Sequence, residues 1–188
     1  MVRIGETIGD FEMDAFHNGD LRKIRLSDYR GKWLVLFFYP ADFTFVCPTE
    51  LGELADYYDR IRQLGAEVMS VSTDTHYTHL AWHMSSPQVS KVKFPMLADP
   101  AGKLGRHFGV YIEDEGVTLR GTFIINPEGK LVAAEVNDNS IGRSAKELLR
   151  KLQAAKHVYE NGGVVACPAS WEPGKSDLKP SAGLVGKI

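Results

Sequence analysis

The chain has 188 residues and nearly balanced charge, with 22 lysines and arginines, 24 aspartates and glutamates, and a net charge of -2. This length is enough for one domain with a sizeable core. The sequence has no basic excess and no polybasic run, so its charge gives no indication of binding to nucleic acid or to a membrane surface. The first residues lack the apolar core of a signal peptide, and no apolar run is long enough to span a bilayer, so we expect a cytoplasmic protein.

The first half of the chain predicts a hairpin followed by a strand–helix–strand unit. Residues 11–16 and 21–26 flank the turn sequence His-Asn-Gly-Asp, which indicates an N-terminal β-hairpin. The apolar run at 32–39 is typical of a strand buried on both faces. Residues 49–64 have helical spacing and end at Gly65, and residues 66–72 form the next strand. This order implies a right-handed parallel crossover.

The second half alternates short helices and strands. Predicted helices cover residues 75–86, 103–108 and 144–159, and predicted strands cover 94–98, 121–125 and 130–136. Thr73 or Asp74 is expected to cap the first of these helices. Ser144 and Glu147 have the spacing of a capping box for the last one.

These elements predict an α/β fold with helices on both faces of one sheet. We expect one main domain at residues 1–160. Residues 161–188 contain several prolines and glycines with little periodicity, so they are predicted to be an extended tail that becomes ordered by lying on something else.

Cys47 stands between a buried strand and the first turn of a helix, and Pro48 follows it directly. Free amide groups and the helix dipole favour negative charge at a helix start, and a thiolate is such a charge. The alternative is a cysteine that serves only as a small buried hydrophobic residue. A dithiol exchange enzyme would need a second cysteine three positions later, where this chain has Glu50.

The segment "FFYPADFTFVCPTE" resembles the active-site segment of the peroxiredoxins, with Pro40, Thr44 and Cys47 at the pattern positions. Similarity continues through "VSTDTHYTHLAWH", "RGTFIINPEG", "GRSAKELLRKLQAAKHV", "VVACPASWEPG" and "LVGKI". The chain is similar over essentially its whole length to typical two-cysteine peroxiredoxins of the bacterial alkyl hydroperoxide reductase type. The resemblance implies a thioredoxin-like fold with the N-terminal hairpin and the C-terminal tail as additions.

The resemblance also implies a role for each site residue. Cys47 would be the peroxidatic cysteine that becomes a sulfenic acid, and Cys167 of a partner subunit would resolve it as a disulfide. Thr44 would hydrogen-bond the thiolate and the peroxide, and Arg120 would supply positive charge to both. Pro40 would shield the pocket from water.

Two further residues and several partners follow from the same resemblance. Glu50 and Arg143 would orient Arg120. The family needs no cofactor and no metal. The expected partners are a hydroperoxide substrate, a flavoprotein reductase or thioredoxin, and further copies of the chain that form homodimers and a decamer.

Four alternatives stay open at this level. Arg120 could be an ordinary exposed charge, and Thr44 an ordinary loop or capping residue. His76, His79 and His83 lie at helical spacing, which permits a metal site but is more typical of a helix surface or an interface. The chain could also be a chaperone that protects unfolded proteins, an activity that would survive the loss of Cys47.

Overall fold

The computed structural model describes residues 1–187, so Ile188, the last residue of the predicted tail, lies outside them. The chain divides into two compact units, Met1–Ala145 and a second unit that begins at Lys146. The predicted end of the main domain at residue 160 remains a prediction.

The first unit is built on a seven-stranded sheet and three helices. Its nine strands are β1 (Glu12–His17), β2 (Asp20–Arg25), β3 (Trp33–Phe38), β4 (Ala66–Ser72), β5 (Met96–Ala98), β6 (Tyr111–Ile112), β7 (Val117–Thr118), β8 (Arg120–Ile125) and β9 (Leu131–Asn137). Its helices are α1 (Cys47–Gln63), α2 (His76–Ser85) and α3 (Lys103–Phe108). The large sheet has the order β2-β1-β5-β4-β3-β8-β9, and β6 pairs only with β7.

Strand β3 has neighbours on both sides and is buried at all six positions, as its apolar sequence predicts. It runs parallel to β4, with Leu36 opposite Met69, and antiparallel to β8, with Leu36 opposite Phe123. The predicted parallel arrangement of β3 and β4, joined through α1, is therefore confirmed. The end of β3 and the start of β8 lie side by side, so β8 can bring side chains to the segment that follows β3.

Helices cover both faces of this sheet. Successive side chains of a strand point to opposite faces, and Phe38 contacts Phe108 of α3 with ring centroids 5.5 Å apart. On the other face, the guanidinium of Arg143 lies 3.4 Å from the ring centroid of Phe37. Arg143 pairs with Glu50 of α1, so α1 belongs to the face opposite α3.

The N-terminal hairpin is confirmed, with the six residues of β1 paired antiparallel to β2. The predicted cap of α2 is wrong. Thr75, rather than Thr73 or Asp74, caps this helix and accepts a hydrogen bond from the amide of Thr78. Asp74 does not serve as the cap because its carboxylate accepts hydrogen bonds from the Asp42 amide and the Ser72 hydroxyl.

The second unit contains nearly all of α4 (Ala145–Glu160) and the tail. Helix α4 buries an apolar stripe that consists of Leu148, Leu149 and Leu152. The tail is folded back within this unit, because Ala166 and Leu178 form an antiparallel bridge. No helix among residues 1–187 has the length and apolar character needed to cross a membrane.

Candidate active site

Cys47 is the first residue of α1 and its side chain has no exposed surface. Val46 stands at the helix cap without a side-chain hydrogen bond, and Pro48 occupies the first turn. Proline fits there because the first amides of a helix lack partners within the helix. The thiol therefore lies at the positive end of the helix dipole, in a site closed to bulk water.

Arg120 brings a positive charge to this thiol from the first position of β8. Its Nη1 donates a hydrogen bond to Cys47 Sγ at 3.3 Å and a second to Glu50 Oε2 at 2.7 Å. Its Nε and Nη2 both donate to the backbone oxygen of Asn139, at 3.0 and 2.8 Å. Only 3% of Arg120 is exposed, so it is not the solvated surface charge that the sequence left possible.

Glu50 is held between two arginines. Besides Arg120, its carboxylate accepts hydrogen bonds from Nε, Nη2 and the backbone amide of Arg143, at 2.9, 3.0 and 2.8 Å. Arg143 in turn donates to the Gly121 oxygen and the Thr122 hydroxyl. All three charged side chains are almost fully buried. Their mutual contacts fix the guanidinium of Arg120 in one orientation.

The charges of this cluster are unbalanced while Cys47 is a thiol. Arg120 and Arg143 carry two positive charges and Glu50 carries one negative charge, so the buried group has a formal charge of +1. A thiolate at Cys47 brings that sum to zero. Arg120 lies within hydrogen-bond distance of the Cys47 sulfur, where its positive charge can stabilise negative charge that develops during a reaction.

The pKa of Glu50 reflects its two partners. Burial by itself would raise this pKa, but hydrogen bonds and charge from Arg143, with added charge from Arg120, lower it below the ordinary value of 4.5. A carboxylate with a depressed pKa contributes stability that is fully present above its unfolded value and is lost as the pH falls through its folded value. The stabilising effect of Glu50 is therefore complete above pH 4.5 and declines in more acidic solution.

Replacing Glu50 with glutamine should expose this dependence. Glu50→Gln leaves two buried guanidinium groups without a counterion, and we expect a loss of about 3–5 kcal/mol in the free energy of unfolding at neutral pH. The loss should shrink as the pH falls below 4.5, because the Glu50 carboxylate then takes up a proton, first in the unfolded chain and at lower pH in the folded protein. Denaturant unfolding at a series of pH values measures it. Glu113→Gln, which breaks the exposed pair with Arg106, is the control and should change little. A Glu50→Gln deficit that is constant across this range would contradict the charge-based account.

Thr44 and Pro40 belong to the segment that joins β3 to α1, and both are half-buried. The Thr44 hydroxyl donates to the Ala41 oxygen at 2.8 Å. Its lone pairs remain able to accept a hydrogen bond from a peroxide O–H. The roles of Thr44 and Pro40 toward substrate stay predictions.

A buried polar network holds the same segment, and sequence reasoning missed it. Asp42 accepts a hydrogen bond from the Tyr39 hydroxyl at 2.7 Å and lies at hydrogen-bond distance, 2.8 Å, from His79 Nδ1, and His79 Nε2 donates to the Leu97 oxygen at 3.1 Å. Burial raises the pKa of Asp42, while the hydrogen bond and charge of His79 act to lower it. The sequence feature that could have indicated this network is Asp42, an acidic residue two positions after Pro40.

The expectation that the histidines of α2 lie on a helix surface or interface is wrong for His79, which has no exposed surface. His79 and Trp82, three residues apart, form the buried face of α2. His83 is not part of this buried face, and its Nε2 lies at hydrogen-bond distance from the Val92 oxygen. Among residues 1–187, no group of three or more histidine, cysteine, aspartate or glutamate side chains could hold a metal ion.

Cys167 lies in the second unit and, like Cys47, is a free thiol. Its Sγ donates to the Ala154 oxygen at 3.7 Å. Burial raises the pKa of the Cys167 thiol, the charge of Asp177 raises it further, and Arg150 acts in the opposite direction. These surroundings favour the thiol of Cys167 over the thiolate. Trp171 is also buried in this unit.

A mixed sheet whose central strand leads to a buried cysteine at the start of α1, with an arginine hydrogen-bonded to its sulfur, defines the peroxiredoxin class of thiol-dependent peroxidases. Comparison with known proteins agrees. The AhpC/TSA family profile matches residues 4–134, and the chain belongs to this family.

Relatives match over the full length. The chain is 50% identical over 188 residues to the alkyl hydroperoxide reductase C of Salmonella typhimurium and 48% identical to that of Bacillus subtilis, with 100% of each chain covered in both cases. Among solved structures, Enterococcus faecalis AhpC has a TM-score of 0.85 at 48% identity, covering 89% of this chain and 100% of that one. The reduced 2-Cys peroxiredoxin of Plasmodium vivax has a TM-score of 0.89 at 33% identity, covering 95% and 93%. The predicted thioredoxin-like fold is thereby confirmed.

Proposed function

We propose that this chain reduces hydrogen peroxide and organic hydroperoxides with Cys47 as the peroxidatic cysteine. The observation that carries the proposal is the hydrogen bond from Arg120 Nη1 to the buried Sγ of Cys47 at 3.3 Å. The names of the full-length relatives, alkyl hydroperoxide reductase C, support organic hydroperoxides as substrates.

The first step is a displacement at oxygen. The Cys47 thiolate attacks the terminal oxygen of the peroxide, the S–O bond forms and the O–O bond breaks. Cys47 is oxidised to a sulfenic acid, and the leaving oxygen takes a proton to become water or an alcohol. Arg120 stabilises the charge that moves from sulfur to the leaving oxygen, and Thr44 accepts a hydrogen bond that aligns the peroxide.

The second step joins two sulfurs. Cys167 of a partner subunit attacks the sulfenic acid, so that a disulfide forms and the oxygen leaves as water. A flavoprotein alkyl hydroperoxide reductase subunit or thioredoxin then reduces the disulfide and returns both thiols. Neither step requires a cofactor on this chain.

Removal of Cys167 tests this division of roles. Cys167→Ser should reduce about one peroxide per Cys47 at the wild-type rate and then stop, because the sulfenic acid has no thiol to resolve it. Rapid-quench measurement of peroxide consumption, with dimedone labelling of the sulfenic acid, follows both events. Sustained turnover by Cys167→Ser at the wild-type rate would remove Cys167 from the mechanism.

The proposal includes assembly in the cytoplasm as homodimers that join into a decamer. The segment before Cys47 and the start of α2 are the proposed contacts between dimers. Phe43, Phe45 and Tyr77 are exposed there by 58%, 92% and 64%, and large exposed apolar side chains are typical of interaction surfaces. The hydrogen bond from the Asp42 amide to Asp74 joins the two segments within one chain.

A further inference from the structure

The tail folds against α4 into a closed substructure around Cys167, which we call the clasp and define as residues 166–178 together with Arg150, Ala154 and His157 of α4. The clasp is closed at its ends by paired hydrogen bonds between the backbones of Ala166 and Leu178, at 2.8 and 2.9 Å. Cys167 is therefore not on a free strand, although its sequence is rich in proline and glycine.

One face of α4 holds the clasp. Arg150, Ala154 and His157 are spaced by four and three residues, so they share that face. Arg150 Nη1 donates to the backbone oxygen of Trp171 at 2.9 Å, and His157 Nε2 contacts Asp177 Oδ2 at 2.7 Å.

Trp171 fills the space between these two polar contacts. Its ring lies 4.7 Å from the His157 ring, centroid to centroid, and its Nε1 donates to the Lys175 oxygen at 3.0 Å. The indole is buried, and its hydrogen bond links Trp171, before the turn of the clasp, to Lys175, after it. The His157–Asp177 pair connects the far side of that turn to the helix.

Within the clasp the surroundings of Cys167 favour the thiol. Its Sγ–H is donated to the Ala154 oxygen, and a thiolate has no hydrogen to donate. The pKa of Cys167 is raised by burial and then by the charge of Asp177, with Arg150 opposing. Since the thiolate is the nucleophile in disulfide formation, the closed clasp holds Cys167 in its less reactive form.

We propose that His157 and Asp177 are positioning residues for the resolving step, because they close the clasp on α4 and keep Cys167 bonded to Ala154 until the clasp opens. This inference rests on the proposed role of Cys167 as resolving cysteine. Opening frees Cys167 to ionise, and its thiolate then attacks the Cys47 sulfenic acid. The S–S bond forms, the S–O bond breaks, and the hydroxide that leaves combines with the proton released by Cys167 to give water.

The clasp is tested first without peroxide chemistry. In a Cys47→Ser background, the rate of Cys167 alkylation by iodoacetamide is followed by mass spectrometry from pH 6 to pH 10. We expect His157→Gln and Asp177→Asn to react about threefold faster than the parent at neutral pH, the scale of a partly exposed ion pair. Asp177→Asn should also shift the pH profile of alkylation to lower pH, because it removes a negative charge that raises the pKa of the Cys167 thiol.

Glu160→Gln is the matched control, since it breaks an ion pair with Lys156 on the same helix. It should alkylate at the parental rate. Parental rates and an unshifted profile in both His157→Gln and Asp177→Asn would overturn the inference.

The second arm uses the protein with both cysteines present and one equivalent of peroxide. Disulfide formation, followed by rapid quench, should be about threefold faster in Asp177→Asn, while sulfenic acid formation keeps its rate. Faster alkylation without faster disulfide formation would overturn the positioning role. If neither the variants nor the unmodified chain forms a Cys47–Cys167 disulfide, the proposed function is overturned. Faster alkylation of the variants would in that case still support the clasp.

Discussion

Cys47→Ser is expected to lose essentially all peroxide reduction, a fall of about 10⁵-fold or more, the scale seen when an enzyme loses its nucleophile. A serine hydroxyl is not appreciably ionised near neutral pH, so it cannot attack the O–O bond. The substitution is nearly isosteric at a fully buried position, and the hydrogen bonds of Arg120 to Glu50 and Asn139 do not depend on sulfur.

Peroxide consumption in the presence of an active reductase measures this loss. Near-ultraviolet circular dichroism checks that the variant is folded. Cys167→Ser is the matched control, because it should retain the first turnover while Cys47→Ser has none. Multiple turnovers by folded Cys47→Ser would show that another group reduces peroxide. The same variant separates a peroxidase from a chaperone, since protection of unfolded protein should survive the change.

Arg120→Met is expected to reduce kcat/KM for peroxide by about 10²–10³-fold, the usual effect of removing one donor that stabilises developing charge. Methionine keeps much of the buried volume but provides no hydrogen bond to Cys47 and no positive charge. The buried cluster then contains one cation and one anion, so a thiolate at Cys47 would add an uncompensated charge.

Two measurements separate this electrostatic effect from loss of fold. The rate of Cys47 alkylation by iodoacetamide at neutral pH should fall together with kcat/KM, because both require the thiolate. Arg106→Met is the matched control: Arg106 also pairs with a glutamate through two hydrogen bonds, but its partner is Glu113 on the surface. Unchanged alkylation and unchanged kcat/KM in folded Arg120→Met would contradict the role of the guanidinium.

Much of the first unit could be predicted from local pattern. The uninterrupted apolar run of β3 and the regular spacing in α1 identify the elements on either side of Cys47, and that junction alone indicates a reactive thiol. The short pair β6 and β7 was missed, since two-residue strands leave too few positions for a period to be visible.

The chemistry around Cys47 depends on contacts that no local pattern can specify. Arg120 lies 73 residues beyond Cys47 in the chain, and it was assigned through family resemblance rather than spacing. The backbone oxygen of Asn139, which fixes two nitrogens of that arginine, has no side-chain signature. His79 was placed on a surface because its helical spacing is compatible with either face, and only the packing of α2 decides between them.

The tail shows the same limit. Its prolines and glycines predicted an extended tail that would have to lie on other structure, but the described part of it folds back on itself through the bridge between Ala166 and Leu178. They did not predict the pairing of His157 with Asp177, because the two residues are 20 positions apart and belong to segments of different character. The sequence did contain one indication of this contact. Arg150 and His157 share one face of a helix, which indicates that this face contacts a polar segment.

The most direct test is to identify the disulfide that peroxide produces. Reduced protein is treated with one equivalent of hydrogen peroxide, remaining thiols are blocked, and the products are resolved on a non-reducing gel and mapped by mass spectrometry. We predict a covalent dimer in which Cys47 of one chain is linked to Cys167 of the other. Oxidised Cys47 accompanied by a blocked, unoxidised Cys167, or a disulfide confined to single chains, would contradict the account.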